Sequence, residues 1–185
     1  MRLAAAALVL ALTAAPASGQ HARMPGHHGP GHGAAPTQPY AGIQDRRNKA
    51  LSAEQEADLR EGRGMALALA AELNGYPGPM HVLEHAEALR LTAAQRATAE
   101  ALRVRMLAEA RALGARIVAL EEELDALFAG GQADARRLAA ITAALGALGG
   151  RLREAHLATH IEMRAALDAG QREAYAQLRG YRPTR

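Results

Sequence analysis

The stretch from Thr92 to Phe128 contains no proline and no strand-like alternation, and Gly130-Gly131 follows it. Thr92 can cap a helix through its hydroxyl, and Gln95 can reach back to that cap in a capping box. The pattern predicts one helix of about 37 residues, roughly 55 Å long. A helix of that length needs a partner that buries its apolar side. The apolar-periodic segment 134–167 supplies one, so the sequence predicts an all-α fold built on a long antiparallel helical hairpin.

Shorter helices are predicted on both sides of the hairpin. They are 53–73, opened by a capping box of Ser52 and Gln55, then 80–90, and finally 169–179. Within the first of these, the stretch 65–71 is apolar all round and is therefore expected to be buried.

The N-terminus has the pattern of a secretory signal peptide. Met1-Arg2 is a short basic region, residues 3–15 are apolar, and small residues at 15–19 offer cleavage sites. We expect residues 1–19 to be removed on export, most simply to a bacterial periplasm, with an uncleaved N-terminal anchor as the alternative. No later stretch is apolar for long enough to cross a bilayer, so no membrane span is expected after cleavage.

Composition excludes several classes of function. The chain has no cysteine, so disulfides, thiol catalysis and thiolate-held zinc are ruled out, and any metal must be held by His, Met, Asp or Glu. A formal charge of +3 and 3% aromatic residues argue against nucleic-acid binding. There is no nucleophile elbow, phosphate loop or His-Glu-x-x-His motif. We therefore expect a protein without enzymatic activity.

Residues 20–50 precede the helical domain, which is expected to span 51–181 with a tail at 182–185. The segment 20–37 is rich in His, Gly and Pro and has almost nothing to bury, so no packed structure is predicted there. Its histidines, with Met24, suit weak and unselective capture of copper, nickel or zinc, and an inert linker is the alternative. These histidines are His21, His27, His28 and His32.

Two His-x-x-x-His pairs are the candidate metal ligands of the helical domain: His81 with His85, and His156 with His160. Four residues apart on a helix, both imidazoles of a pair face the same side. The register of the hairpin places both pairs near the start of the long helix. If they face one another, the four histidines could share one divalent ion such as Ni, Co, Cu or Zn, with Met163 as an optional soft ligand.

Other roles are open for these histidines. Partly buried histidines often only hydrogen-bond a carbonyl or a carboxylate, and a buried imidazole can also act as a pH switch near pH 6.5. A carboxylate ligand is not assigned, because Glu84 lies about 60° around its helix from His81 and Glu100 faces away from the apolar seam.

The chain also carries two L-[T/D]-x-x-Q motifs. Leu91-Thr92-Ala93-Ala94-Gln95 opens the long helix, and Leu167-Asp168-Ala169-Gly170-Gln171 opens the last one. On an exported, cysteine-free, helical chain this pair resembles the LTxxQ-motif family. That family includes the Spy/CpxP periplasmic chaperones and is related to heavy-metal-resistance proteins of the ZraP and CnrX kind. The similarity covers about 51–181, and Asp168 stands where the family has Thr, so it matches only as a helix cap.

The resemblance implies a helical hairpin that forms a curved homodimer without enzymatic activity. It also implies a division of roles, because members either hold unfolded periplasmic proteins or sense metals, and CnrX-like sensors resemble the plan of histidine pairs found here. We expect a periplasmic envelope-stress or heavy-metal-resistance protein that binds a divalent metal through paired histidines. An ATP-independent refolding chaperone with incidental histidines is the alternative, and a helical partner for a membrane-bound sensor is a third hypothesis.

Overall fold

A computed structural model describes residues 38–183, and this part of the chain contains helices but no strand. The helices are α1 (Ala53–Glu61), α2 (Leu69–Glu72), α3 (Pro79–Glu84), α4 (Ala93–Ala129), α5 (Ala135–Ala166) and α6 (Ala169–Leu178). The expected all-α class with a long helix pair is confirmed. The predicted signal peptide and the histidines of segment 20–37 lie outside the described residues. Within 38–183, no helix combines the length and the apolar character needed to cross a membrane.

The long helices α4 and α5 pack against each other and form the most extensive contact between two helices in the described residues. Near the start of α4, the Gln95 side chain donates a hydrogen bond to the carbonyl of Ala166 at the end of α5 (2.9 Å). Further along α4, Glu109 lies 3.8 Å from Arg151. Early positions of α4 thus meet late positions of α5, which is the order that an antiparallel pair gives.

The predicted capping boxes are confirmed. The Thr92 hydroxyl accepts from the Gln95 backbone N–H, and the Gln95 side-chain oxygen accepts from the Thr92 backbone N–H. The same reciprocal arrangement opens α1 at Ser52 and α6 at Asp168. Each box lies within four consecutive residues, which is why the sequence alone reveals it.

The two motif glutamines also contact each other, which the sequence did not reveal. Gln95 Nε2 donates to Gln171 Oε1 over 2.8 Å, and Gln171 Nε2 donates to Gln95 Oε1 over 2.9 Å. Gln171 further donates to the Leu89 carbonyl (3.2 Å). Together with the bond to Ala166, this amide pair joins the starts of α4 and α6 to the end of α5 and to the turn before α4.

The helix predicted over 53–73 is wrong in its second half. α1 ends at Gly62, which has a left-handed backbone (φ 69°), and only the short α2 follows. The reason is a close crossing with α4: a Cβ at Gly114 would lie 1.9 Å from the Leu59 carbonyl oxygen. The crossing outweighs the helix propensity of the alanine-rich sequence. The stretch 65–71 is also not buried throughout, since Leu69 is 48% exposed.

The helix predicted over 80–90 is shorter than expected. α3 ends before His85, which is its C-cap, and residues 85–90 form turns. The turns reverse the chain into α4 while Val82 and Leu89 both enter the core. Helical spacing therefore no longer fixes the geometry of this histidine pair.

Buried side chains form two hydrophobic clusters on either side of the second histidine pair. The first is Val82, Leu89, Ala99, Leu102, Met163, Leu167 and Tyr175, and the second is Leu59, Ala110, Leu113, Val118, Leu148 and Leu152. Along α5, His156 and His160 fall between Leu152 of the second cluster and Met163 of the first. A hydrophobic cluster therefore flanks this histidine pair on each side along α5.

The connector before α1 is attached to the second half of α4. Lys49 pairs with Asp125 over 2.7 Å, and Arg47 lies 3.3 Å from Glu122. Asn48 between them is buried, and its side-chain oxygen accepts two backbone N–H bonds from the following residues. The packed fold thus begins upstream of residue 51.

Candidate metal site

A groove of about 620 Å³ is lined by three of the four histidines predicted as metal ligands, and we call it the histidine groove. His81 comes from α3, and His156 and His160 come from α5. Its volume lies within the range of small-ligand sites. The remaining walls come from residues 61–66, 68–69 and 78–80, from Glu72, from Arg103, Met106, Leu107 and Arg111 of α4, from Thr159, and from Arg179 and Tyr181.

His160 is held in one orientation by the backbone around it. Its Nδ1 lies 2.7 Å from the Tyr76 carbonyl oxygen. A carbonyl can only accept, so Nδ1 carries the proton, and the neutral ring keeps its lone pair on Nε2. The ring also packs directly on Gly78, where a Cβ would lie 2.9 Å from its Cε1. Metal-binding histidines are commonly oriented in this way, with the second nitrogen bonded to a carbonyl or a carboxylate.

His81 is oriented by a carboxylate. Its Nδ1 lies 2.8 Å from Glu84 Oε2, and the hydrogen bond from His81 holds the pKa of the Glu84 carboxyl below its ordinary value. Glu84 is therefore ionised at neutral pH and accepts a hydrogen bond from Nδ1. In this tautomer Nε2 keeps a lone pair that can bind a metal ion. Sequence reasoning left Glu84 without a role, and the structure makes it the orienting partner of His81.

His156 is a buried histidine of the groove with one unsatisfied ring nitrogen. Its side chain is 5% exposed, and its buried Nε2 has no hydrogen-bond partner in the described part of the chain. Burial, and then the nearby His160, lower the pKa of the His156 imidazole below its ordinary value, so the neutral ring is favoured. A buried polar atom without a partner costs about 1–3 kcal/mol. A bound ligand at Nε2 would remove that cost.

Glu72 lines the groove as a buried carboxylate that the protein itself satisfies. Its Oε1 accepts from the hydroxyls of Tyr175 (2.5 Å) and Tyr181 (3.1 Å), and its Oε2 accepts from the Gly78 N–H (3.2 Å). Oε2 also lies 3.7 Å from Nδ1 of His160. Burial, and then the bond to Glu72, raise the pKa of the Tyr175 hydroxyl, so it stays a donor. Glu72 therefore anchors the wall behind His160.

The other two predicted ligands lie elsewhere. His85 is not among the residues that line the histidine groove, and Met163 is fully buried in the first hydrophobic cluster. Within residues 38–183, no three His, Asp or Glu side chains are already arranged to hold an ion. The structure thus brings three imidazoles to one groove without closing a coordination shell around a point.

Glu72 and three methionines are groove residues that sequence reasoning did not assign to a site. Glu72 had a readable signal, because it is the only charged residue in the apolar run 65–73. The methionines Met65, Met80 and Met106 also line the groove. They share no helical spacing and come from three separate segments, so no sequence pattern links them.

The walls of the groove carry more positive than negative charge. Four guanidinium groups line it, against two carboxylates, Glu61 and Glu72. Arg63 pairs with Asp58 and Glu61, and Arg179 lies 3.5 Å from Glu72. The remaining two, Arg103 and Arg111, have no carboxylate partner within residues 38–183.

No family model, no curated protein and no solved structure matches this chain. The resemblance to the LTxxQ-motif family thus stays a prediction based on its two motifs, and the histidine groove is the basis for a function.

Proposed function

We propose that this protein binds a transition-metal ion in the histidine groove through His81, His156 and His160. The observation that carries the proposal is that three histidines line one groove. His81 and His160 are already oriented through Nδ1, and the buried Nε2 of His156 has no partner within the described residues. Imidazole suits Zn, Cu and Ni, and the divalent ions expected from the sequence belong to this class. The shell would be completed by side-chain movement or by water.

Calorimetric titration with Ni²⁺, Co²⁺, Cu²⁺ and Zn²⁺ tests this proposal. The protein should be the full chain with His21, His27, His28 and His32 replaced by Ala, so that the N-terminal histidines cannot bind the metal. Replacing a ligand should weaken the binding of at least one ion by about tenfold or more. The ligand variants are His81→Ala, His156→Ala and His160→Ala.

His85→Ala is the matched control, because His85 stands four residues from His81 but does not line the groove. It should bind metal like the parent protein. If all four variants bind metal equally, the groove is not the site.

The wider setting of this activity is also a proposal. The signal-peptide pattern favours a periplasmic location, and the absence of hydrolytic motifs from the sequence favours a binding or sensing role in envelope stress or metal resistance over catalysis.

Holding of unfolded chains is the second candidate function. Its support is the mixed character of the groove walls, where apolar side chains such as Leu69 and Met80 stand near Arg103 and Arg111. Guanidinium groups that have no carboxylate partner among the described residues, beside apolar surface, suit acidic and apolar segments of an unfolded client. Suppressed aggregation of a denatured client without metal, lost in Arg103→Ala with Arg111→Ala, would favour this candidate.

A homodimer is proposed as the assembly. Its support is exposed apolar surface on the long helices: Val104 is 67% exposed and Ile161 is 60% exposed. Their chain neighbours, Arg105 and Glu162, form an ion pair that joins α4 to α5, so both apolar side chains stand at the same level of the helix pair. Sedimentation of the parent and of Val104→Asp tests this assembly.

A further inference from the structure

Three methionines share the groove with the three histidines. Met65 comes from the segment between α1 and α2, Met80 from α3 and Met106 from α4. They are half of the six methionines in the chain. Met80 lies next to His81 and is 45% exposed, so core packing does not account for it. The groove therefore offers thioether sulfur and imidazole nitrogen together.

From this we infer that the ion held in the histidine groove is cuprous copper, Cu(I). The inference rests on the proposed function and narrows it to one ion. Thioether and imidazole are neutral ligands, and soft thioether sulfur selects Cu(I) over the harder divalent ions.

The charge of the groove favours the same ion. The walls carry more guanidinium groups than carboxylates, and both oxygens of Glu72 already accept hydrogen bonds from protein donors. Coulomb repulsion scales with the charge of the ion. A monovalent ion therefore meets about half the repulsion that a divalent ion meets at the same position.

The backbone beside the groove is held in an unusual conformation. Met65 and Ala66 are consecutive non-glycine residues with left-handed backbones, at φ 40° and 60°. Such residues cost about 1–3 kcal/mol each and persist where the surrounding structure fixes them, often at ligand sites. Met65 lines the groove from this fixed backbone, and its side chain is partly buried against the second hydrophobic cluster.

Leucine replacements test the inference, because Met→Leu removes sulfur while nearly conserving volume. The full chain, with the four N-terminal histidines replaced by Ala and Met24→Leu, is compared with the same chain carrying Met65→Leu, Met80→Leu and Met106→Leu. Cu(I) affinity is measured anaerobically, with ascorbate, against a chromophoric Cu(I) chelator. The triple variant should bind Cu(I) about tenfold or more weakly, while Zn²⁺ affinity is unchanged.

Two controls keep the result interpretable. Met163→Leu removes a core sulfur outside the groove and should leave Cu(I) affinity unchanged. Met80→Leu alone alters an exposed side chain, so it tests the inference even if the triple variant does not fold. X-ray absorption of the Cu(I) protein should detect sulfur scatterers that the triple variant lacks.

The outcomes separate the inference from the proposed function. Unchanged Cu(I) affinity in the folded leucine variants, or only nitrogen and oxygen scatterers, would overturn the Cu(I) inference while histidine-dependent binding of other ions survived. If His156→Ala and His160→Ala change no metal affinity at all, both fail.

Discussion

His156 is buried with an unsatisfied ring nitrogen, which costs about 1–3 kcal/mol. Its Nε2 has no partner among the described residues, whereas the ring of His160 bonds the Tyr76 carbonyl. Replacing an unsatisfied buried group by an apolar one of similar shape can be neutral or stabilising, whereas removing one partner of a hydrogen bond costs free energy. Replacing His156 and replacing His160 should therefore affect stability differently, although both residues are needed for metal binding.

The first prediction follows from the lowered pKa of His156. The pKa of His156 in the folded state lies below its unfolded value near 6.5. As the pH falls through 6.5, the unfolded chain therefore binds more protons than the folded chain does. The free energy of unfolding should thus decrease between about pH 7.5 and about pH 5.5, and His156→Leu should decrease less. Urea denaturation at both pH values measures this.

At the higher pH, His156→Leu should unfold no more easily than the parent, and His160→Leu should lose about 1 kcal/mol with its hydrogen bond. A large loss of stability in His156→Leu at neutral pH would mean that the imidazole is a packing element.

The second prediction concerns Gly78, which makes room for the ring of His160. A Cβ there would lie 2.9 Å from Cε1 and 3.0 Å from Nε2 of that ring, so Gly78→Ala must displace the imidazole. Metal affinity should fall by about tenfold in a folded protein, as expected when a ligand loses its orientation. Calorimetric titration measures it, with Gly149→Ala as the control because a Cβ at Gly149 meets nothing within 4 Å.

At the scale of elements, the third prediction concerns the amide pair of Gln95 and Gln171. Each glutamine closes its own capping box and also bonds the other across 76 positions of the chain. Removing one leaves groups of the other unsatisfied, so Gln95→Ala and Gln171→Ala should each cost about 2 kcal/mol, and the double variant less than their sum. Urea denaturation of the four proteins gives the coupling.

Gln55→Ala is the matched control for this cycle. Gln55 closes the box of α1, and both of its hydrogen bonds in that box are local. Its loss should cost only about 0.5–1 kcal/mol. If Gln55→Ala and Gln95→Ala lowered the free energy of unfolding equally, the two L-[T/D]-x-x-Q motifs would act only as helix caps.

The contrast between local and distant contacts also explains which elements the sequence predicted. Each of the caps at Thr92 and Asp168 depends on four consecutive residues, so the sequence alone predicted them. The break at Gly62 depends on how closely α1 approaches Gly114, more than fifty positions away, and helix propensity opposes it. The groove was predicted only in part. The histidine spacing indicated His81, His156 and His160, which line the groove, together with His85, which does not. The methionines come from separate segments that only the folded chain brings beside them.

At the scale of the whole molecule, the histidine groove lies where segments far apart in the chain meet. Glu72 receives hydrogen bonds from Tyr175 and Tyr181 after a separation of more than one hundred positions, and His160 bonds the Tyr76 carbonyl. An ion that joins His81 to the α5 histidines would link the segment before α4 to α5. Binding should therefore stabilise the fold as a unit rather than one helix.

The last prediction is this stabilisation. A ligand that binds only the folded state adds about 2.7 kcal/mol at one hundred times its dissociation constant. The midpoint of thermal unfolding should rise with the concentration of the bound ion, in the parent and in the variant without the four N-terminal histidines, but not in His156→Leu. Thermal melts followed by circular dichroism measure it. A rise that disappears with the N-terminal histidines and persists in His156→Leu would assign the stabilising ion to those histidines and not to the histidine groove.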